Sequence, residues 1–260
     1  MKFTCKTKEL SKACQTVSGA VATRAAAPAL EGIKIDVQDG KAALCGYNLE
    51  VGITTKLDCE GSCADGSIVL DAKMLSNMAK KAPDSFTTIE TDEKGAAIIK
   101  SGTAEFSIVG IPAKEFPELP EIEEKSGVDI SQPILKSMIQ QTLFAVSEND
   151  CKPIHTGALF EVSSGELTVV GVDGYRLAIC KESIDYSGAS FDFVVPAKTL
   201  PEISKLLSDD TDKAVHISVG TRHAVFTVGG YEVFTRLLEG EFLDYKAALP
   251  KQCTTSLKVD

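Results

Sequence analysis

Apolar residues recur along the chain with the two spacings that are typical of helices and strands. Leu10, Cys14 and Val17 lie three or four positions apart, as they would on the buried face of a helix. The same spacing returns in the second half of the chain at Leu135, Met138, Ile139, Leu143 and Val146. Alternating apolar and polar residues follow each of these segments, and turns such as Asp39-Gly40 separate them. Short strands therefore outnumber helices, and the hairpin turns predict antiparallel sheets in an α+β fold.

The order of these predicted elements repeats at an offset of 125 residues. The matching glycines are Gly32, Gly40 and Gly46 in the first half and Gly157, Gly165 and Gly171 in the second. Farther along, Val69-Leu70-Asp71-Ala72-Lys73 matches Val194-Val195-Pro196-Ala197-Lys198. Each copy contains an extended start, a helix, alternating strands, a second helix and two more strands. We therefore predict a tandem duplication.

The stretch from Phe116 to Gly127 predicts the boundary between the two copies. It contains two prolines and four glutamates, which favour a solvated surface connection over an acid–base or metal site. We accordingly expect one domain in residues 1–124 and a second in residues 125–250. Residues 251–260 alternate like the strand that opens each copy, so we expect them to begin a third domain that is missing.

Net charge excludes a uniformly basic nucleic-acid coat protein, because 37 acidic residues outnumber 27 basic ones and give −10. The charge is nevertheless segregated. The predicted helices and their lead-in residues (6–24, 71–81, 133–148 and 196–207) carry +6, which leaves −16 on the remainder. If the two copies pack side by side, all four helices fall on one surface, which is then cationic.

Several chemistries are excluded by the residues present. The eight cysteines lie mostly within apolar segments, as in a reducing compartment, and Cys59 and Cys63 lack the second pair of ligands that a zinc site needs. No phosphate loop, dinucleotide fingerprint or hydrolase motif is present, and Asp173 to Arg176 is interpreted as a turn. The chain has no run of apolar residues long enough to span a membrane and no apolar signal segment, so we expect a cytoplasmic protein without metal, cofactor or catalytic site.

Several motifs resemble the bacterial sliding clamp family, the beta subunit of the replicative DNA polymerase III. They are Met1-Lys2-Phe3-Thr4, Gln15-Thr16-Val17-Ser18 leading to Arg24, Val172-Asp173-Gly174-Tyr175-Arg176-Leu177-Ala178, Val195-Pro196-Ala197-Lys198 and Phe242-Leu243-Asp244-Tyr245. The resemblance covers the whole chain in order. It implies two tandem DNA-clamp domains, each with two helices on antiparallel sheets.

Members of this family have three such domains per subunit and pair head to tail into a ring around duplex DNA. The sequence departs from that pattern because it ends where a third copy would begin. We therefore expect a two-domain fragment of a longer protein, which alone does not close the ring.

The resemblance also implies two sets of binding residues. Positions that match DNA contacts of similar clamps are Arg24, Lys73, Asn149 and Lys198. Positions that match the pocket for partner peptides are His155, Thr156, Val172, Gly174, Tyr175, Arg176, Leu177, Leu243 and Ala247. Because His155, Leu243 and Ala247 differ from the commoner pattern and a third domain would supply part of the pocket, we expect weak peptide binding.

The implied function is that of a DNA polymerase processivity factor, an accessory subunit without its own catalytic site. The implied partners are double-stranded DNA, the catalytic subunit of DNA polymerase III, the clamp loader, other proteins with the clamp-binding motif and a second copy of the full-length protein. The alternative is a duplicated, non-enzymatic protein-interaction scaffold whose helix lysines are merely solvated. Retention on circular but not linear DNA would distinguish the clamp from the scaffold.

Overall fold

The computed structural model describes residues 1–92, 95–149 and 151–250. The predicted strand in residues 251–260 lies outside the described residues. In the first copy the helices are α1 (Thr7–Val17) and α2 (Ala72–Lys81). Its strands are β1 (Lys2–Lys6), β2 (Gly32–Gln38), β3 (Lys41–Tyr47), β4 (Val51–Asp58), β5 (Gly66–Asp71), β6 (Phe86–Thr91), β7 (Ala96–Ser101), β8 (Ala104–Val109) and β9 (Ile111–Pro112).

The second copy follows the same order. Its helices are α3 (Gln132–Thr142), α4 (Leu200–Leu206) and the short α5 (Tyr245–Ala248). Its strands are β10 (Ser126–Ser131), β11 (Gly157–Ser163), β12 (Glu166–Val172), β13 (Leu177–Ser183), β14 (Phe191–Pro196), β15 (Ala214–Val219), β16 (His223–Val228) and β17 (Tyr231–Arg236). The antiparallel α+β prediction is thus confirmed.

Within the described residues the strands form three antiparallel sheets. The first copy contributes the sheet β1-β6-β7-β8, and the second copy contributes β13-β12-β11-β14. The third sheet has nine strands in the order β10-β15-β16-β17-β4-β3-β2-β5-β9 and belongs to both copies. The copies join where β17 pairs with β4, with Tyr231 opposite Thr55 and Thr235 opposite Val51.

The matched glycines occupy equivalent positions in the two copies, which confirms the duplication. A Cβ added at Gly46 would collide with the carbonyl oxygen of Val17 at the end of α1. A Cβ added at Gly171 would collide with the carbonyl oxygen of Thr142 at the end of α3. The partners Val17 and Thr142 are themselves 125 positions apart, so the same helix end rests on the same strand in each copy.

Alternate residues of the strands face two different apolar environments. Ile35, Leu44 and Leu70 belong to the main core, which also contains the buried faces of the helices. The intervening Tyr47 and Val69 point to the opposite face of the sheet and form a separate cluster there. We call the side covered by helices the helix face and the other side the outer face.

The four long helices lie side by side on the helix face, in the order α2, α1, α4, α3. Helix α2 packs against α1, and the hydroxyls of Ser18 and Ser76 are hydrogen-bonded at 3.0 Å. Just beyond α1, a Cβ at Gly19 would collide with the carboxylate of Glu202 on α4. Helix α3 in turn packs against α4. The common helix surface expected from the repeat is therefore present.

The connection between the copies, which we call the linker (residues 116–125), crosses the outer face of the nine-stranded sheet. It joins β9 at one edge to β10 at the opposite edge. Phe116 is buried in the outer cluster with Tyr47, and a Cβ at Gly52 would collide with Leu119. The glutamates are exposed as predicted, but the apolar residues between them pack against the sheet.

Helix α4 lies within residues 196–207, the range predicted to hold a helix and its lead-in. Ala197 to Thr199 form a turn after β14, and the helix starts at Leu200 with Thr199 at its N-cap. Pro201 has no backbone N–H and is therefore accommodated in the first turn of the helix. Lys198 lies in the turn that precedes α4, as the lead-in predicted.

Candidate nucleic-acid and peptide interfaces

In the first copy, Arg24 and Lys73 lie at the same end of the helix pair. Lys73 is exposed in the first turn of α2, which is stabilised by a 2.7 Å hydrogen bond from the Met74 N–H to the Asp71 carboxylate. Ala72 and Leu75 turn into the core, so the helical period directs Lys73 to solvent. Arg24 is exposed in the loop after α1, whose last turn meets α2 at the contact between Ser18 and Ser76.

The corresponding positions of the second copy are Asn149 and Lys198, each 125 residues farther along. Asn149 is exposed beyond α3, and its side-chain oxygen accepts a 3.0 Å hydrogen bond from the N–H of Cys151. Lys198 is also exposed, and its Nζ lies 4.0 Å from the Glu50 carboxylate of the first copy. The four predicted DNA contacts are therefore two pairs related by the repeat.

The cations on the helix face differ in how far they are neutralised. Lys205 forms an ion pair of 2.7 Å with Glu202, and Lys136 forms one of 2.7 Å with Asp209. Among the described residues, Arg24 and Lys73 have no acidic side chain within ion-pair distance. Their charges are therefore available to an external anion.

Other cations of the predicted helices lie on this face besides the predicted DNA contacts. A groove between α1 and α2, at the end opposite Lys73, is lined by Lys8, Lys12 and Lys80. All three side chains are exposed. The helical spacing of Lys8 and Lys12, four residues apart and off the apolar stripe, was the available signal.

The predicted peptide residues lie around an apolar cluster on the outer face of the second copy. Its buried members are Ile154, Leu159, Val170, Val194 and Tyr245, and Leu177, Ile179, Leu238 and Phe242 pack around them. Of the predicted residues, Leu177 belongs to this cluster directly, and Val172 is its cross-strand partner in the β12–β13 hairpin. The predicted residues therefore lie at the edge of the cluster. Its buried members, such as Ile154 and Leu159, were not among them.

The hairpin turn after β12 holds the predicted residues Gly174, Tyr175 and Arg176. Asp173 organises it by accepting hydrogen bonds from the backbone N–H groups of Tyr175 (2.9 Å) and Arg176 (2.8 Å) and from the Arg176 guanidinium. These bonds lower the pKa of the Asp173 carboxyl, the backbone donors having the largest effect. Tyr175 is fully exposed, so the turn presents an aromatic ring to solvent.

A second group of predicted residues lies around a cavity between the 3-10 turn Pro153–Thr156 and residues 239–244. His155 contacts Phe242 edge to face, with ring centroids 5.4 Å apart, and Leu243 lines the same cavity. Burial, followed by the charge of Lys152, lowers the pKa of His155, so its ring is neutral at physiological pH. The hydroxyl of Thr156 is bonded within the turn to the Pro153 carbonyl oxygen at 2.7 Å.

Ala247 is exposed on α5, where its N–H donates to the Asp244 side chain at 3.2 Å. The neighbouring Tyr245 is buried, and its hydroxyl donates to the Glu161 carboxylate. Burial, then this hydrogen bond, raises the pKa of the Tyr245 hydroxyl. Helix α5 is thereby fixed to the outer face beside the cluster.

Two further properties bear on the chemistry of the described residues. No group of three or more histidine, cysteine or acidic side chains in that part of the chain is arranged to hold a metal ion. Over the same residues, every helix is too short or too polar to cross a membrane.

Comparison with known proteins agrees with this architecture. The family model of the DNA polymerase III beta subunit, N-terminal domain, matches residues 1–120. The family model of its central domain matches residues 129–244. A beta sliding clamp from Bacillus subtilis strain 168 is 35% identical, and the match covers 100% of this chain and 71% of that relative. The chain belongs to the bacterial sliding clamp family.

Solved structures of sliding clamps share the fold. A DNA polymerase III beta subunit from Eubacterium rectale superposes with a TM-score of 0.93 at 36% identity, covering 97% of this chain and 69% of that one. The sliding clamp of Bacillus subtilis gives a TM-score of 0.91 at 35% identity, covering 97% and 68%. The predicted pair of clamp domains is therefore confirmed.

Proposed function

We propose that this chain acts in the cytoplasm as a DNA polymerase processivity factor, a sliding clamp whose helix face lies against duplex DNA. The observation that carries the proposal is the row of four helices on one side of a sheet shared by two repeats, with the unpaired cations Arg24 and Lys73 at one end of the first pair and Lys198 at the equivalent end of the second. The screening length at physiological salt is about 8 Å, so a polyanion on the helices interacts little with the acidic outer face.

The proposed contacts are non-specific. Arg24, Lys73 and Lys198 would neutralise phosphates, and Asn149 would donate a hydrogen bond from its amide. Binding through a few phosphates has a Kd of about 10⁻⁴ to 10⁻⁶ M at physiological salt. Such weak contacts permit movement along DNA, and retention then comes from encirclement, which requires a closed ring made with further clamp domains.

The test is the salt dependence of binding to linear duplex DNA. We expect the double variant Arg24→Ala/Lys73→Ala to bind more weakly at about 50 mM salt and to lower the slope of log K against log salt by about 1.8, since each lost phosphate contact removes about 0.9. Fluorescence anisotropy between about 50 and 200 mM salt measures both quantities.

A charge-matched control is Lys56→Ala/Lys181→Ala. Both lysines are exposed on the outer face. Lys56 lies on the same face of β4 as Gly52, which contacts the linker, because the two are four residues apart in the strand. Lys181 lies on the same face of β13 as Ile179, which packs on the outer cluster. This control should keep the slope of the unmodified chain. An equal decrease in both double variants, or no DNA binding by the chain at low salt, would instead support the interaction-scaffold function.

The outer cluster of the second copy supports a second role for the same protein. We propose that the nine peptide residues form one wall of a docking site for apolar segments of partners, namely the polymerase catalytic subunit, the clamp loader and other proteins with a clamp-binding motif. The exposed Tyr175 and the cavity between His155 and Leu243 support this assignment.

We further propose that the domains divide between residues 124 and 125, within the linker.

A further inference from the structure

Two cysteines, Cys59 and Cys63, lie in the loop between β4 and β5. Cys59 and Cys63 are four residues apart, and both are free and half-buried, with the Cys63 thiol near enough to contribute to the raised pKa of Cys59. Their side chains pack against the edge of the main core, whereas the residues between them are exposed. The pair is therefore close together and accessible at the surface.

Strand β1 holds this loop in place from both ends. The Glu60 N–H donates to the Thr4 carbonyl oxygen at 2.7 Å. Ala64 and Lys2 exchange two backbone hydrogen bonds, of 2.7 and 2.9 Å. Between these anchors Gly61 reverses the chain with a φ of +72°, in open space. The anchors flank the cysteines closely, so a bond between the two sulfurs closes a loop whose ends are already fixed.

We propose that Cys59 and Cys63 form a reversible dithiol–disulfide pair, oxidised by a low-molecular-weight disulfide such as oxidised glutathione. One thiolate attacks the small disulfide, forms a mixed disulfide and releases one small thiol. The second thiolate then attacks the protein sulfur of that mixed disulfide and releases the second small thiol. The protein loses two electrons and two protons, and one small disulfide is reduced to two thiols.

The other cysteines of this region are poorer candidates. Cys5 and Cys14 are fully enclosed, and burial raises the pKa of each thiol to about 12, which leaves almost no thiolate at neutral pH. The pKa of Cys59 is also raised, by burial and then by the adjacent Cys63. Exchange should therefore accelerate as the pH rises above neutrality.

The test is to equilibrate the 260-residue chain under native conditions with oxidised glutathione, quench with acid, and alkylate after denaturation. We expect Cys59 and Cys63 to be lost from alkylation together and without attached glutathione, whereas the exposed Cys151 can only form a mixed disulfide with glutathione. Peptide mapping should show Cys59 joined to Cys63 with the loss of two hydrogen atoms. Reduction with dithiothreitol should restore both thiols.

Two variants and one probe complete the design. Cys63→Ser should stop at a mixed disulfide of Cys59 with glutathione, whereas Cys151→Ser, which removes an exposed cysteine outside the pair, should still form the bond. A trivalent aryl arsenical, which needs two adjacent thiols, should bind the unmodified chain and not Cys63→Ser. The proposal is wrong if both cysteines remain alkylatable after equilibration, or if either pairs with a different cysteine.

Discussion

At the scale of single residues, the glycines under the helix ends account for the close packing of helix on sheet. Gly46 and Gly171 lie in β3 and β12, where any side chain would occupy the position of a helix carbonyl. The backbone of a helix end is difficult to displace, because its carbonyls and the main core hold it. These positions therefore require glycine, because the helix carbonyls leave no space for a side chain.

We expect Gly46→Ala and Gly171→Ala each to lower the free energy of unfolding by about 1–3 kcal/mol, the usual cost of overpacking a dense interior. Urea denaturation followed by circular dichroism measures the loss. Because the two sites are related by the repeat, the two losses should be similar.

Gly165→Asn is the matched control. Gly165 has a φ of +79° at a hairpin turn with nothing near its Cβ position, and asparagine tolerates that conformation. Its effect should stay within about 0.5 kcal/mol, as for most surface changes. A loss at Gly165 as large as that at Gly46 would show that backbone conformation, and not the helix contact, makes these glycines necessary.

At the scale of elements, the end of the linker is fastened to the sheet by polar contacts. Glu124 accepts a hydrogen bond from the Ser218 hydroxyl, and its carboxylate lies 3.5 Å from Nε2 of His216. Nδ1 of His216 lies 2.9 Å from the Asp129 carboxylate of β10. His216 therefore lies between two acidic side chains, one from the linker and one from the adjacent strand.

This arrangement predicts a pH-dependent contribution to stability. The hydrogen bond with Asp129, together with the Glu124 carboxylate, raises the pKa of His216 above 6.5 despite partial burial. The stabilisation is then fully present below pH 6.5 and is lost as the pH rises through the folded-state pKa. The difference in unfolding free energy between the unmodified chain and His216→Asn should accordingly be larger at about pH 5.5 than at about pH 8.5.

His223→Asn provides a control of opposite sign. Burial, then the charges of Arg236 and Arg222, lowers the pKa of His223, so its protonation at low pH opposes folding. Replacing His223 should raise the free energy of unfolding most at low pH. If His216→Asn shows a constant difference across the pH range, the contacts with Asp129 and Glu124 do not favour the protonated ring.

Much of this element order could be predicted from the sequence because apolar spacing and matched turns are local signals. Helix α4 is an example, because it lies within the predicted range 196–207 and buries Leu200 and Ile203 at helical spacing. The path of the linker could not be predicted. Its exposed glutamates dominate its composition, whereas Phe116 and Leu119 find partners only on strands distant in sequence.

At the scale of the whole molecule, the repeats share one sheet and one main core. Ile53 of β4 lies opposite Val233 of β17, and both are buried in the cluster that extends through both copies. A sequence repeat cannot reveal this pairing, because the pattern of a strand indicates which face is buried and not which strand lies beside it. The individual binding residues were assigned only through the family resemblance for the same reason, since a contact such as that of Lys198 with Glu50 of the first copy depends on the junction.

The shared sheet predicts that damage at the junction spreads to the second copy. Ile53→Ala should lower the unfolding free energy by about 2–5 kcal/mol, as expected for a fully buried isoleucine. Because Val233 of β17 loses its cross-strand side-chain contact at the junction, hydrogen exchange measured by mass spectrometry should accelerate in β15 and β16 as well as in β3 and β4. The matched control is Ile89→Ala, which removes an equally buried isoleucine from the separate sheet of the first copy. That change should accelerate exchange in β1 and β7 and leave β15 and β16 protected. Equal protection of β15 and β16 in both variants would mean that the two copies unfold independently despite the continuous sheet.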